Sequence, residues 1–548
     1  MFRPRRARRQ GVRTLTAALA ALAAISLAGC AAGAAPAGTV PAGEPVAGGT
    51  LSIAFKADNT SLVSIDPFQV YWLEHRVVIR NVVESLTDQD PETGEIIPWL
   101  AESWEISDDG LRYTFHLRDG VTFSNSEAFD ANRDFAAENP TTFGATYIAG
   151  YDHAEIVDEH TVTLVLRTPN AAFLQATSTT NLAILAPESY ETSPEERSRG
   201  AIIGTGPFVL EEYAPEEGIR LVRRDGYAWP SAASANDGEA YLDAVEISYV
   251  PEASVRNGSF QTGDLDIVWP REPFTDADLA LLQASGATIQ SRSLPGPSWA
   301  YYANVQDGRI LSDDRVREAL QLAIDRESYA TTIYNAEFDV VEGPFDTTTP
   351  YFSSQADLLG HDPERAGELL DEAGWELADD GYRYKDGERL TLVRLLQAES
   401  PGEVLVQDQL KQVGIDLQLR VLVAGEYTTA TAAGDYDLTS TYMTRADPVI
   451  LQTILDPRYS ASAIAANAYR PEQLEAVQEL FDAGLTELDA DRRAATYAEL
   501  QSYLIEENLS FPVYERLWQA ATAPDVQGFQ WTSEGFALLG DVWLAGQE

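Results

Sequence analysis

The stretch PWLAESWEISDDGLRYTFHLRDGVTF occupies residues 98–123, and its apolar and polar residues alternate between two acidic–glycine breaks. The first break, DDG at 108–110, separates two alternating runs, and the second, DG at 119–120, precedes VTF at 121–123. Acidic–glycine turns between runs of period two are typical of β-hairpins. We therefore predict an antiparallel β-meander here.

Beyond the meander, some segments of the chain show the two-residue hydrophobic period of a strand and others show the period of a helix. Strands are predicted at 50–55, 161–166, 209–210, 241–250 and 299–304, and beyond residue 311 at 390–396 and 415–423. Helices are predicted at 73–86, 316–330, 363–375, 407–414, 471–488 and 491–507. Strands and helices that alternate in two separate regions indicate a mixed α/β protein.

Length and charge narrow the class of protein. A chain of 548 residues is too long for one core, so we expect two or three domains. It carries 86 acidic and 38 basic residues, a net charge of −48. So acidic a surface repels nucleic acid and anionic lipid headgroups, and the charge itself indicates a solvated, salt-tolerant exterior.

The first 47 residues read as a targeting segment followed by a tether. Six arginines precede an apolar run of 13 residues at 15–27, which is too short to span a bilayer and typical of a signal peptide. The run ends in LAGC, so that residues 1–29 resemble a lipoprotein signal peptide and Cys30 the lipidated cysteine. Residues 30–47 are rich in Ala, Gly and Pro, and we expect them to form a flexible tether. We also expect the lipid on Cys30 to anchor the chain to the outer face of the cell membrane.

Cys30 is the single cysteine, which excludes an intrachain disulfide and any zinc or iron–sulfur site built on cysteines. The five histidines show no metal-ligand spacing. No metal site or cofactor is predicted.

Several motifs in fixed order resemble one family from about residue 48 to the C-terminus. They are the 98–123 stretch, GTGPF at 204–208, DRVREAL and AIDR at 314–320 and 323–326, DPERA and AGW at 362–366 and 373–375, and GDYDL with DP at 434–438 and 447–448. Together they resemble the extracellular solute-binding proteins of peptide and nickel ABC importers, family 5.

The resemblance implies an α/β fold of the periplasmic-binding-protein type: a two-lobed flytrap with an extra domain, its mixed sheets flanked by helices. Lobe I would comprise 48–87, 206–300 and 524–548, the extra domain 88–205, and lobe II 301–523. The chain would pass between the lobes within 291–304 and again within 510–525. Such proteins trap solute by hinge rotation of the lobes.

The resemblance also implies which side chains line the cleft. The expected ligand-binding residues are Tyr71, Trp72, Trp299, Tyr301, Tyr302, Tyr442 and Arg445, with at least one of the aromatic residues at 299–302 facing the ligand and its neighbours facing the core.

The loop at 440–448 departs from the peptide-binding pattern. Similar peptide binders often carry there an aspartate that pairs with the peptide's α-amino group, whereas this chain has Thr444 followed by Arg445. A guanidinium suits a carboxylate or a phosphate. Asp447 is expected to be structural, capping a helix that begins at Val449.

The predicted function is therefore capture of a small solute, first of all short peptides, and its delivery to an ABC permease and ATPase by a monomeric lipoprotein that is not an enzyme. Three alternatives remain open: an anionic metal chelator of the opine type or a nickel complex as cargo, a peptide sensor or chaperone without an importer, and an exported hydrolase. Against the hydrolase alternative, the chain lacks the Gly-x-Ser-x-Gly motif that surrounds the nucleophile of many serine hydrolases.

Overall fold

A computed structural model of the protein describes residues 43–56, 64–70, 73–131, 147–271, 273–335, 338–459 and 463–546. The predicted signal peptide 1–29, Cys30 and the tether up to residue 42 lie outside the described residues. So do Tyr71 and Trp72, whose predicted contribution to the cleft stays a prediction.

A seven-stranded mixed sheet organises the part of the molecule that we call lobe I. In spatial order its strands are Thr288–Ser293, Leu517–Thr522, Ile267–Trp269, Thr50–Phe55, Ala244–Tyr249, Gly218–Arg223 and Phe208–Ala214. Thr50–Phe55 pairs in parallel with both of its neighbours, and the other pairs are antiparallel. Side chains alternate along a strand, so Leu51, Ile53 and Phe55 enter one core and Ala54 another.

A five-stranded mixed sheet organises the part that we call lobe II. Its strands in spatial order are Asp416–Val421, Thr391–Leu396, Leu438–Thr439, Trp299–Ala303 and Phe511–Tyr514. Cores cover both faces of the strand Trp299–Ala303, since Tyr301 and Ala303 belong to one hydrophobic cluster and Ala300 and Tyr302 to another.

The antiparallel sheet of the meander region forms what we call the extra domain. It contains Ala101–Ile106, Arg112–Leu117, Thr161–Leu166 and Tyr151–Asp158, in that spatial order. The first two strands confirm the predicted hairpin, whose turn includes Gly110 at φ 66°. The third predicted strand, 121–123, is wrong, because only one isolated bridge, between Thr122 and Ala128, forms there.

Three small sheets complete the strands. They pair Thr87–Gln89 with Ile96–Pro98, Val526–Gln527 with Trp543–Leu544, and Glu376–Leu377, Arg383–Lys385 and Glu388–Arg389 with one another.

Helices cover the sheets. Within the described residues the α-helices are Leu73–Ile79, Phe173–Ala176, Pro187–Glu191, Pro194–Ser198, Ala253–Thr262, Asp276–Ala284, Asp314–Ala323, Arg326–Ile333, Pro363–Glu372, Pro401–Gln412, Ala424–Ala432, Val449–Leu455, Ala463–Asn467, Pro471–Thr486 and Ala490–Glu506. No helix in these ranges is both long and apolar enough to cross a membrane.

Side-chain caps explain why one predicted helix is confirmed and why another predicted helix is divided in two. Asp362 accepts a hydrogen bond from the Arg365 N–H at 2.9 Å and starts the predicted helix at Pro363. The predicted helix 316–330 is instead two helices, because Asp325 accepts from the Ser328 N–H at 2.9 Å and begins a second one. The predicted helix 73–86 ends at Ile79, and Asn81 there bonds to residues 537 and 539 of the C-terminal segment.

The chain passes between the sheets of lobes I and II at 294–298 and at 515–516, inside the two segments named above. The predicted domain boundaries stay a prediction. The strand Leu517–Thr522, which falls in the segment assigned to lobe II, lies in the sheet of lobe I.

We call the two passages together the hinge, and the side chain of Arg516 connects them. Its Nη2 donates to the carbonyl oxygens of Leu294 and Pro295 at 3.3 and 3.2 Å, and its Nε pairs with Asp346 at 2.8 Å. Asp346 is fully buried. Loss of either partner would leave a buried charge, which makes the pair a strong constraint on the hinge.

Gly296, in the first passage, lies where the loop 440–448 approaches the backbone too closely for a larger residue. Its φ is 123°, and a Cβ there would lie 2.5 Å from the carbonyl oxygen of Met443. We expect Gly296→Ala to lower the free energy of unfolding by about 2 kcal/mol, because backbone strain and a steric clash add. Chemical denaturation measures this, with Gly360→Ala, where nothing lies within 4 Å, as the matched control. Equal stability of both variants would contradict the claim that the backbone at residue 296 requires glycine.

A buried carboxyl binds two aromatic residues that pack in the core of the extra domain. Glu84 accepts hydrogen bonds from the Tyr227 hydroxyl at 2.6 Å and from the Trp229 indole at 3.1 Å. Burial, partly offset by the hydrogen bond from Tyr227, raises the pKa of Glu84 to about 7.

The raised pKa predicts a pH dependence of stability. A carboxyl whose folded pKa exceeds its unfolded value stabilises the fold below the unfolded pKa, near 4.5, and loses that contribution as the pH rises to about 7. The loss is on the order of 3 kcal/mol. We expect Glu84→Gln to remove this part of the decline between pH 5 and 8, as measured by denaturation at both pH values. An unchanged pH slope in the variant would contradict the prediction.

Candidate functional site

The loop 440–448 leaves the strand Leu438–Thr439 of lobe II and reaches the extra domain. Asp447 ends it by accepting from the Val449 N–H at 2.9 Å and binding Arg493 through both oxygens, at 2.8 and 3.0 Å. These bonds satisfy the carboxylate of Asp447, which thereby has a structural role.

Thr444 faces the hinge. Its hydroxyl accepts a hydrogen bond from Nη1 of Arg516 at 3.0 Å. Thr444 is therefore a neutral partner of the hinge arginine.

Arg445 faces the extra domain and is 2% exposed. Its Nε donates to Oε1 of Gln175 at 2.7 Å, and its guanidinium lies over the Tyr147 ring at 4.2 Å. The backbone N–H of Arg445 donates to the Pro295 carbonyl at 3.2 Å. Arg445 thus touches lobe II, the hinge and the extra domain at one point.

The charge of Arg445 has no counter-ion among the described residues, since no carboxylate there lies within ion-pair distance of it. Its Nη2 is buried without a hydrogen-bond partner, and so is Nε2 of the neighbouring Gln175. Burial lowers the pKa of Arg445, and the negative groups Asp447 and Glu534, together with Tyr147, offset this only in part. An unpaired buried cation is costly, so a negative group at this point would stabilise the site.

A second charged group lies nearby in lobe I. Nη2 of Arg76 binds Glu534 at 2.9 Å and the Thr179 hydroxyl at 3.0 Å. Burial alone would lower the pKa of Arg76, but Glu534 and Tyr147 outweigh it and raise the value. Because Tyr147 acts on both arginines, Arg76 and Arg445 belong to one polar cluster.

Trp299 and Tyr442 pack on each other in lobe II. Their ring centroids are 5.1 Å apart, and Trp299 also stacks on Tyr514 at 5.5 Å. Both side chains are half-buried, unlike their neighbours in the core. They form a partly accessible aromatic surface in the same lobe as Arg445.

Tyr301 and Tyr302 lie elsewhere than predicted. The Tyr301 hydroxyl donates to Glu403 at 2.9 Å, under Arg394, and Tyr302 packs with Phe345 and Tyr469. These neighbours all belong to lobe II, which places both tyrosines in its interior. The expectation that they line the cleft is corrected accordingly, because cores cover both faces of their strand.

The cluster includes residues that sequence reasoning missed. Gln175 and Tyr147 of the extra domain and Glu534 of lobe I belong to no motif, and Gln175 is 270 residues from Arg445 in sequence. Only the fold brings them together. No group of three or more potential metal ligands occurs within the described ranges.

Relatives of known structure share this fold. NikA from Brucella suis, solved with Fe(III)-EDTA, superposes with a TM-score of 0.79 at 24% identity over 90% of this chain and 100% of its own. DppA from Helicobacter pylori, solved with the peptide STSA, gives 0.72 at 25% identity over 91% and 98%. DppA is a periplasmic binding protein associated with an ABC transporter, and the likeness to both structures confirms the predicted fold class.

Sequence comparison gives the same result. A probable di/tripeptide-binding protein of Pseudomonas aeruginosa is 26% identical over 528 residues, 89% of this chain and 94% of the relative. The model for the middle region of the family matches residues 95–462. The chain belongs to the bacterial extracellular solute-binding proteins, family 5.

Proposed function

We propose that this protein is the substrate-binding lipoprotein of an ABC importer, which captures short peptides between its lobes and delivers them to a permease and ATPase. The observation that carries the proposal is the junction at Arg445, where lobe II and the extra domain meet around buried donors that lack acceptors. Relatives named for di- and tripeptides and a relative solved with a peptide favour this cargo.

Direct hydrogen bonds across the junction support capture by closure. Nε2 of Gln89 donates to the Ala446 carbonyl at 3.0 Å, and the Ala171 N–H donates to the Leu485 carbonyl at 2.7 Å. A ligand that bridges the same surfaces adds contacts only in this closed arrangement, so it shifts the population of states toward it. The half-buried rings of Trp299 and Tyr442 supply apolar contact area.

A second cargo is favoured by one observation. The unpaired positive charge of Arg445 suits an anionic metal chelate of the opine type, or a nickel complex with free carboxylates, as well as it suits a peptide. Nothing in the described site favours the hydrolase alternative.

The lipid anchor and the monomeric state are parts of the same proposal. The signal-like segment 1–29 and the single cysteine at its end support export and lipidation of Cys30. Two acyl chains on one residue are enough for stable attachment to a membrane.

Ligand class is tested by thermal shift and native mass spectrometry on residues 31–548. We expect tripeptides to raise the melting temperature, because a ligand at about 100 times its Kd adds about 2.7 kcal/mol to the folded state. Fe(III)–EDTA and free glucose are run in parallel. A shift with the chelate alone would transfer the proposal to metal uptake, and no shift with any peptide would contradict peptide capture.

The anchor is tested on the full chain in a bacterial host. We expect the wild type to sediment with membranes and to carry the mass of a diacylglycerol on Cys30, whereas Cys30→Ser is released. Ala37→Ser, a change in the predicted tether, should remain attached. Membrane retention of Cys30→Ser would rule out the anchor.

A further inference from the structure

Two unsatisfied donors lie side by side in the polar cluster. Nη2 of Arg445 and Nε2 of Gln175 have no acceptor, and the two side chains are already joined by the 2.7 Å bond from Nε of Arg445. The residues are 2% and 4% exposed. The donor of Arg445 carries a formal charge, and burying a charged group without a partner costs more than burying a neutral donor without one.

Neither surrounding acid pairs with Arg445. Both oxygens of Asp447 are held by Arg493, and Oε2 of Glu534 is held by Arg76, while Oε1 of Glu534 is buried without a hydrogen-bond partner. Each of these pairs is neutral, which leaves Arg445 as one uncompensated positive charge in the cluster. A group that neutralises it must come from outside the described chain.

The guanidinium is fixed in place before any ligand arrives. One face lies on the Tyr147 ring, the Nε edge is taken by Gln175, and the backbone is tied to Pro295 of the hinge. These contacts leave Nη2 of Arg445 without an acceptor among the described residues. A planar anion that accepts from Nη2 and from the adjacent amide matches this arrangement.

We propose that Arg445 and Gln175 form a receptor for a free carboxylate of the ligand, which accepts hydrogen bonds from Nη2 of Arg445 and Nε2 of Gln175. The inference rests on the proposed function for the kind of ligand, since the terminal carboxylate of a short peptide is the group concerned. It adds that the ligand must bring one negative charge to this point.

A neutral C-terminal amide would leave the guanidinium uncompensated and place an N–H₂ group against existing donors. A charge-assisted hydrogen bond of this kind corresponds to a 10- to 100-fold change in affinity. Amidation of a bound peptide should therefore weaken it at least tenfold.

The test uses a set of Ala-Xaa-Ala tripeptides, each as free acid and as C-terminal amide, titrated by calorimetry against residues 31–548. We expect the wild type to prefer the acids at least tenfold and Arg445→Gln to lose that preference. Arg420→Gln is the matched control, because Arg420 is an exposed arginine paired with Asp435.

Gln175→Glu keeps the arginine and tests the receptor even if Arg445→Gln folds poorly. The new carboxylate would pair with Arg445 and occupy the receptor. We expect a higher melting temperature without ligand, an affinity for the free acids at least tenfold weaker, and no change for the amides.

The outcomes separate this inference from the proposed function. Peptides that bind equally as acids and amides, or a preference that survives in both variants, would overturn the receptor and leave peptide capture standing. If no peptide binds but Fe(III)–EDTA does, and Arg445→Gln abolishes that binding, the receptor stands and peptide capture fails. If neither ligand class binds, both are overturned.

Discussion

The buried ion pair between Arg516 and Asp346 determines how the two lobes and the candidate site are connected. Arg516 binds the carbonyl groups of one passage between the lobes, belongs itself to the other, and holds Thr444 beside Arg445. A change in the angle between the lobes would therefore act directly on the loop that carries the unpaired charge. A binding protein that closes on its ligand requires such coupling, because ligand contacts must depend on the angle between the lobes.

The net charge of the chain and the unpaired charge of Arg445 have opposite signs. The chain has a net charge of −48. Most exposed arginines in the described part of the chain are paired with acids, and such surface pairs contribute little to stability. Arg445 is buried and unpaired. The ligand carboxylate that we propose would approach against a repulsive field that salt screens over about 10 Å, and it would be attracted only at the end of its path. Affinity at this point then depends on short-range, desolvated contacts, which discriminate between chemical groups more sharply than a surface field does.

Local signals in the sequence predicted much of the fold but little of the site. Asp362, Pro363 and Gly374 mark both ends of one helix, and the meander follows from alternation and acidic–glycine turns. The break at Asp325 was missed because a cap inside a continuous apolar pattern looks like a solvent-facing residue. Tyr301 and Tyr302 were assigned to the cleft because alternation gives the two faces of a strand but does not reveal that cores cover both. Arg445 was found through its departure from a family pattern, whereas Gln175, Tyr147 and Glu534 meet it only through tertiary folding.

A crystal structure of residues 31–548 with a bound tripeptide would test the carboxylate receptor most directly. We expect the ligand to lie between lobe II and the extra domain, with a carboxylate oxygen within hydrogen-bond distance of Nη2 of Arg445 and of Nε2 of Gln175. A complex in which the ligand binds in the cleft while Arg445 contacts only protein atoms, or in which an ammonium or apolar group lies at that point, would contradict this expectation.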